Sequence, residues 1–462
     1  MGAFHRIGVA LVAVGTVPRA VSAHQLGSRF EAPLPLSLLF GGAGVTVALT
    51  AILLAFTVEQ PTGERVPNVQ LPVSPTTAAG LRATARTVFA LAFVLTVATG
   101  LLGRQVQAEN FATVFTWAVW LKGVAVLAAL IGSPWRVLSP WQSLYDGLVR
   151  VEGSRIALLG DYPSRFGVWP ALAAYGLWIG IGENLTAIPR SPTGTALLLV
   201  SYTLVMLGGG LAFGPAWFRN ADALAVLYRL FGRVGPVAVT RTEEGGYRVG
   251  LRPPWQRCTQ AVEGLAVTAF VVATVYTVSF DGFTSTPEYQ TVRFAVQDVV
   301  GTASSTGVLL YLTGFVGFVA VFLLTAALTD RVGRGSLSGG QRVAVQFVPT
   351  ILPIAVAYEI AHNYPFILGN VGQSAGALRA FFGLGRGPAI ELLGWVSVGT
   401  FWWSQVVLIV AGHLVAVIAA HYVALERYES PRQARRAHIP FVALMIGYTV
   451  LSLWIISRPI VT

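Results

Sequence analysis

Glu359 and His362 stand three residues apart in "YEIAHNY", a spacing that sets a carboxylate and an imidazole on one face of a helix. Such a pair suits an ion pair, a hydrogen-bonded histidine or metal ligation. Di-metal carboxylate sites need two Glu-x-x-His pairs, and "EIAH" is the only one in the chain. Three more ionisable groups interrupt apolar runs: Lys122 in "WLKGV", Glu183 in "GIGENL" and His413 in "AGHLV". A charge in hydrocarbon costs several kcal/mol unless it is paired or sits in a wet cavity, so each of the five marks a candidate site. The simplest role for Lys122, the only lysine in the chain, is a bridge to Glu183 or Glu359.

A second set of groups belongs to the chain's beginning and to its loops. Arg6, the apolar run 7–17 and the small residues Val21-Ser22-Ala23 have the form of a secretory signal, and the apolar run is too short to span a bilayer. Cleavage after Ala23 leaves His24 first, with its α-amine and imidazole on one residue, a chelator for copper or zinc. His362 and Asp281, the latter expected in an outer loop with Glu288, would complete an open divalent-metal site able to activate water. In that site His24, His362 and Asp281 ligate, and Glu183 is a general base or holds the ligands in place. Alternatively His24 is simply a free terminus.

The elements that must position these groups are membrane helices. The chain is 462 residues long, 54% hydrophobic and 11% charged, with a mean hydropathy of +0.66. That composition excludes an ordinary soluble protein and makes the lipid bilayer the main partner. An all-α polytopic fold follows, with ten spans expected at 34–58, 83–103, 111–131, 167–189, 193–215, 261–280, 304–329, 343–367, 394–421 and 438–457. Residues 1–23 are then the signal peptide and 24–462 one transmembrane domain. Loops 59–82, 132–166, 216–260, 330–342 and 422–437 are expected inside. With the flank to residue 86, they hold 21 arginines against seven in the outer segments. The asymmetry predicts a plasma-membrane protein with both mature termini outside.

By rise along the spans, Glu183, Glu359 and Lys122 lie about 9, 12 and 16 Å below the outer face. His362 lies close to that face, and His413 about 19 residues into its span, nearer the midplane. Pro349 and Pro353 should break the span that carries Glu359, freeing backbone to line a cavity. Residues 132–166 hold Trp135, Trp141 and Tyr145, which could anchor an amphipathic segment at the inner interface. Residues 237–252 alternate about Glu243-Glu244-Gly245-Gly246 and predict a small cytoplasmic β-hairpin. The outer segments 281–303 and 368–393 are long enough to cover a site.

Other motifs lead nowhere. "LSGGQ" at 337–341 matches the signature loop of ABC ATPases, yet the chain has no phosphate-cradling Gly-Lys-Ser/Thr loop, so no nucleotide is expected. The arginines fall between apolar spans, so the basic balance implies membrane topology and not nucleic acid. The single cysteine, Cys258, excludes an internal disulfide and a thiolate cluster.

Nearly the whole chain resembles, block by block, the bacterial and archaeal membrane proteins of the fenitrothion hydrolase family. The likeness is carried by Ala23-His24, Pro33-Leu34-Pro35, Asn110-Phe111, Pro134-Trp135-Arg136, Tyr162-Pro163, Trp169-Pro170 and Glu183. It continues through Asp222, Arg252-Pro253-Pro254, Ser279 to Phe283, Pro353 to His362, Gln405, Ala411-Gly412-His413 and His421. The sequence departs from that pattern at Gln25, Ser133 and Lys122. The resemblance implies metal-dependent cleavage of a phosphotriester-like P–O bond at an extracytoplasmic site. Two readings stand beside it. One is a transporter for a metal ion or a proton-coupled solute, with Lys122, Glu183, Glu359, Gln405 and His413 as relay or substrate groups. The other is a subunit of a larger membrane complex.

Overall fold

The computed structural model describes residues 35–58, 70–334, 339–388 and 390–458. The expected signal peptide and His24 lie outside the described residues. Among those described, nine helices are long and apolar enough to cross a membrane. They are α1 (Leu36–Thr57), α2 (Pro75–Leu102), α3 (Phe111–Ile131), then α5 (Pro192–Phe213), α7 (Gly264–Thr284), α9 (Ser305–Arg334), α10 (Gly340–Phe381), α11 (Val398–Arg427) and α12 (Pro431–Ser457). The tenth expected span, 167–189, is a shorter helix, α4, made of Trp169–Tyr175 running on as Gly176–Glu183. Two further helices are α6 (Ala223–Phe231) and α8 (Pro287–Val300).

The helices sort by how much of their surface other helices cover. In α10 83% of the apolar stretch is buried and in α7 78%, against 17% in α9 and 22% in α2. Thus α7 and α10, joined by α3 at 67%, form the centre, and α1, α2 and α9 present their apolar faces outward. Those outer faces carry exposed leucine, valine and phenylalanine such as Leu53, Phe56, Leu91 and Leu324. In water such a surface would be untenable, and in a bilayer it is the expected one.

Close approach at the centre depends on small residues. A Cβ placed on Gly412 of α11 would run into the Ala357 Cβ and come within 2.8 Å of the Pro353 carbonyl of α10. Pro349 and Pro353 act as the sequence predicts: α10 is interrupted by a 3-10 turn, Val348–Ile351, before the helix resumes at Leu352.

Three expectations need correction. The segment 281–303 is not an open loop: α7 continues through Asp281 to Thr284, and α8 covers most of the rest. The segment 368–393 is helical as far as Phe381, because nothing after Pro365 breaks the helical pattern before the glycines at 383, 385 and 387. The segment 132–166 does hold a helix, Pro140–Glu152, but Trp135, Trp141 and Tyr145 are not exposed anchors; they are 2%, 0% and 2% exposed, inside the core.

A β-hairpin does form, with β2 (Val237–Arg241) paired antiparallel to β3 (Tyr247–Leu251). A third strand, β1 (Leu71–Val73), pairs with the free edge of β3 in the register Leu71 to Val249. The segment before α2 and the hairpin after α6 are therefore bound edge to edge.

Candidate functional site

Lys122 and Glu183 are each delivered by a stretch of π-helix. Phe115–Gly123 within α3 and Gly176–Glu183 at the end of α4 are both wound in this wider form. A π turn inserts a residue and rotates the side chains after it, a distortion frequent at functional sites. The second stretch is glycine-rich, and Gly180 lies against the Tyr311 ring where any Cβ would overlap it. Bulk there would push α4 away from the centre.

The two distorted helices converge on α10. Lys122 Nζ lies 3.2 Å from Glu183 Oε1 and 3.7 Å from Glu359 Oε1. One ammonium therefore bridges carboxylates from two other helices, with side-chain exposures of 10%, 14% and 6%. Beside it, Asp281 Oδ2 in the last turns of α7 lies 3.4 Å from His362 Nε2, one turn beyond Glu359. A cavity of about 20 Å³, room for about one water, is lined by Lys122, Tyr175, Asn184, Thr277, Asp281 and Glu359. It joins the two pairs into one polar centre. Tyr358 stacks on the His362 ring at 5.8 Å, and Asn363 Nδ2 donates to the Glu359 carbonyl at 3.2 Å.

Among the described residues one ammonium, Lys122, is shared by two carboxylates, Glu183 and Glu359, while Asp281 and His362 pair beside them. With both glutamates ionised the bridged trio carries one excess negative charge. In a low-dielectric surround that excess is relieved by a proton on a carboxylate or by a bound cation.

The sequence-derived candidates thus divide. Lys122, Glu183, Glu359, Asp281 and His362 come together. Gln405 stands beside them without joining, since its Nε2 donates to the Ala361 carbonyl at 3.2 Å and ties α11 to α10. His413 is fully buried with Nδ1 2.8 Å from the carbonyl of Ile409 on its own helix. Its ring lies 5.9 Å from Tyr448, whose hydroxyl donates to the Val275 carbonyl at 3.0 Å and is hydrogen-bonded to Ser279. Ser279, Tyr448 and His413 thereby continue polar groups away from the Asp281 end of the centre.

Among the described residues no group of three His, Cys, Asp or Glu side chains could hold a metal ion. His362 and Asp281 are close enough to share one, and His24, the third expected ligand, lies outside the described residues. Against a divalent ion stands the Lys122 ammonium, which lines the same cavity as Asp281.

A second buried acid had no role in the sequence reading beyond the family likeness. Asp222 Oδ2 accepts from Trp135 Nε1 and Trp141 Nε1, both at 2.8 Å. Its Oδ1 accepts from Tyr202 Oη and the Leu224 amide, both at 3.0 Å, which caps α6. The available signal was an Asp immediately before the apolar run 223–231. No such signal existed for the tryptophan partners, which are remote in sequence.

No family model, no curated protein and no solved structure matches the chain.

Proposed function

We propose that the protein is a multi-pass membrane transporter that couples a solute or metal ion to a proton held at the Lys122–Glu183–Glu359–Asp281–His362 centre. The observation that carries this reading is the uncompensated charge. One ammonium, Lys122, is shared by two carboxylates, Glu183 and Glu359, beside the Asp281–His362 pair and a single-water cavity. Such a centre takes up and releases a proton or cation as its surroundings change. Support comes from the broken and π-distorted helices that converge there, the usual setting of transporter sites.

The reading includes ten crossings with both mature termini outside. Sheet parity supports the count of crossings, and the arginine asymmetry supports the orientation. The strands β1 and β3 are paired, so residues 71–73 and 247–251 lie on one side of the bilayer. Between them α2, α3 and α5 make three crossings, and an even number is required. The short helix α4 supplies the fourth.

Purified protein in vesicles with a trapped pH dye, challenged with a panel of divalent ions and small solutes, tests the function. The expected result is solute-dependent proton movement in the wild type that Glu183→Gln abolishes. Proton movement equal in both, or none with any solute, would count against the reading.

One observation favours a second reading. The pairing of Asp281 with His362 assembles two of the three ligands expected of a metal-dependent hydrolase acting on phosphotriester-like substrates at the outer face. In that case divalent metal co-purifies and is lost in both His24→Ala and His362→Ala. Copper or zinc content unchanged by either substitution would eliminate it.

A further inference from the structure

A cavity of about 420 Å³ lies along the end of α10, beyond the charged centre. A volume of this order holds a drug-sized ligand. Pro365, Gly369, Gly372 and Gly376 line it from α10, and they recur every three or four residues after His362. The cavity therefore continues the helix face that carries the centre, starting about 4.5 Å further along the axis. Ile390, Leu392, Leu393 and Val396, from the connection between α10 and α11, form the opposite wall with Phe401. The connection is seated on the glycines. A Cβ on Gly372 would overlap the Ile390 carbonyl, and one on Gly376 would stand 3.2 Å from the Arg386 carbonyl.

We propose that this cavity binds a net-uncharged, largely apolar small molecule drawn from the bilayer, and that this molecule is the solute of the proton-coupled transporter. Its role as solute rests on the transporter reading above; the binding site does not. Two charged side chains line the cavity, Arg386 and Glu391, and they are of opposite sign. A ligand with a net charge of either sign meets a repulsion along with its attraction. Arg386 is further engaged by Glu109 at 3.6 Å and by the Ala108 carbonyl at 3.3 Å. The hydroxyls in the lining are also in use, since Ser397 caps α11 and Tyr364 is hydrogen-bonded to Ser404 at 2.8 Å. Gln373 lines the cavity with no hydrogen-bond partner among the described residues. Its amide both donates and accepts, which suits a neutral hydroxyl or carbonyl on the ligand. The route of entry follows from the connection itself. Trp395 is 81% exposed there, and Leu384 and Ile390 are exposed with it. Tryptophan and leucine laid open between the ends of two spans belong at the lipid–water boundary, so the cavity opens at the edge of the bilayer.

Photolabelling of the full-length protein in phospholipid nanodiscs tests the site with three probes built on one benzophenone skeleton. They are neutral para-hydroxymethylbenzophenone, anionic para-benzoylbenzoate and cationic para-benzoylbenzyl trimethylammonium. The neutral probe is expected to label residues 364–377 and 390–401 saturably, at a concentration about tenfold below that needed by either charged probe. Val396→Trp, which fills the cavity, should abolish this labelling. Gln373→Leu should weaken it about two- to tenfold, the loss of one hydrogen bond. Unsaturable label spread over the outward-facing α1, α2 and α9, or equal labelling by a charged probe, overturns the proposal. So does labelling that appears only after residues 24–34 are removed, which would give the cavity to the chain's own N-terminal segment. Should Val396→Trp fail to fold, the comparison of the three probes in the wild type decides alone. Labelling is read without proton movement, so an unlabelled cavity overturns the site and leaves the proton-coupled centre standing. A labelled cavity whose probe moves no protons, in vesicles that respond to another solute, overturns the molecule's role as solute.

Discussion

At the scale of single residues, the centre depends on Lys122. Removing one member of a buried ion pair leaves the other charge uncompensated and costs about 3–5 kcal/mol. Lys122 faces two carboxylates, so Lys122→Met should lower the thermal midpoint in detergent sharply. Glu183→Gln should lower it less, because Glu359 still pairs with the ammonium. The double substitution should recover part of the loss, a coupling that a double-mutant cycle reads directly. Independent, additive effects would mean that the 3.2 Å contact contributes nothing. Cys258 offers a separate test outside the spans. Burial pushes its thiol up to about 12 from the ordinary value near 9, with Arg233 and Arg252 pulling only weakly the other way. The reactive thiolate is therefore scarce at pH 8, and the side chain is inaccessible as well. Maleimide at pH 7–8 should not label the folded protein and should label it fully in denaturant.

At the scale of elements, the short helix α6 is fixed by the group at its N-terminus. All four hydrogen bonds at Asp222 come from donors, two indoles, a phenol and a backbone amide. Only an ionised carboxylate accepts from all of them, and an amide would turn an N–H toward one. Asp222→Asn should therefore destabilise the protein by about 1–3 kcal/mol, with quenching of tryptophan fluorescence altered as Trp135 and Trp141 lose their partner. A melt unchanged from wild type would show that water replaces the carboxylate without loss. This network also shows where sequence reading stops. The spans were legible because twenty-residue apolar runs have few other fates. The charges were legible as a site because hydrocarbon tolerates them only in company. The bridging of Lys122 to both glutamates depends on two π turns, and nothing in "FTWAVWLKG" or "GLWIGIGE" distinguishes a π from an α winding. Trp135 and Trp141 looked like interface anchors for the same reason: amphipathic spacing is visible in a sequence, and a buried acid 87 and 81 residues downstream is not.

At the scale of the whole molecule, the open quantity is how many times the chain crosses, and the small sheet constrains it. If α4 stopped within the bilayer and turned back, the chain from β1 to β3 would cross three times and the strands would face opposite compartments. Their pairing, Leu71 with Val249 and Val73 with Tyr247, argues for the proposed fourth crossing. The α4 helix is short, yet its π-wound end leaves Glu183 close to its terminus, at the level of Asp281 in the last turns of α7. In the proposed topology this short helix reaches the outer side, where the loop before α5 begins. Single cysteines in a Cys258→Ser background make this measurable with a membrane-impermeant thiol reagent on sealed vesicles. Glu152→Cys and Glu243→Cys, both exposed, should react only from the cytoplasmic side, and exposed Arg190→Cys and Asp298→Cys only from the other. Glu152 and Arg190 are separated by α4 alone, so reaction of both from one side would remove the fourth crossing. The sheet would then have to be wrong as well, since the two stand together. Reversal of all four would instead keep the fold and invert it, moving the Lys122 centre to the cytoplasmic half against the arginine distribution.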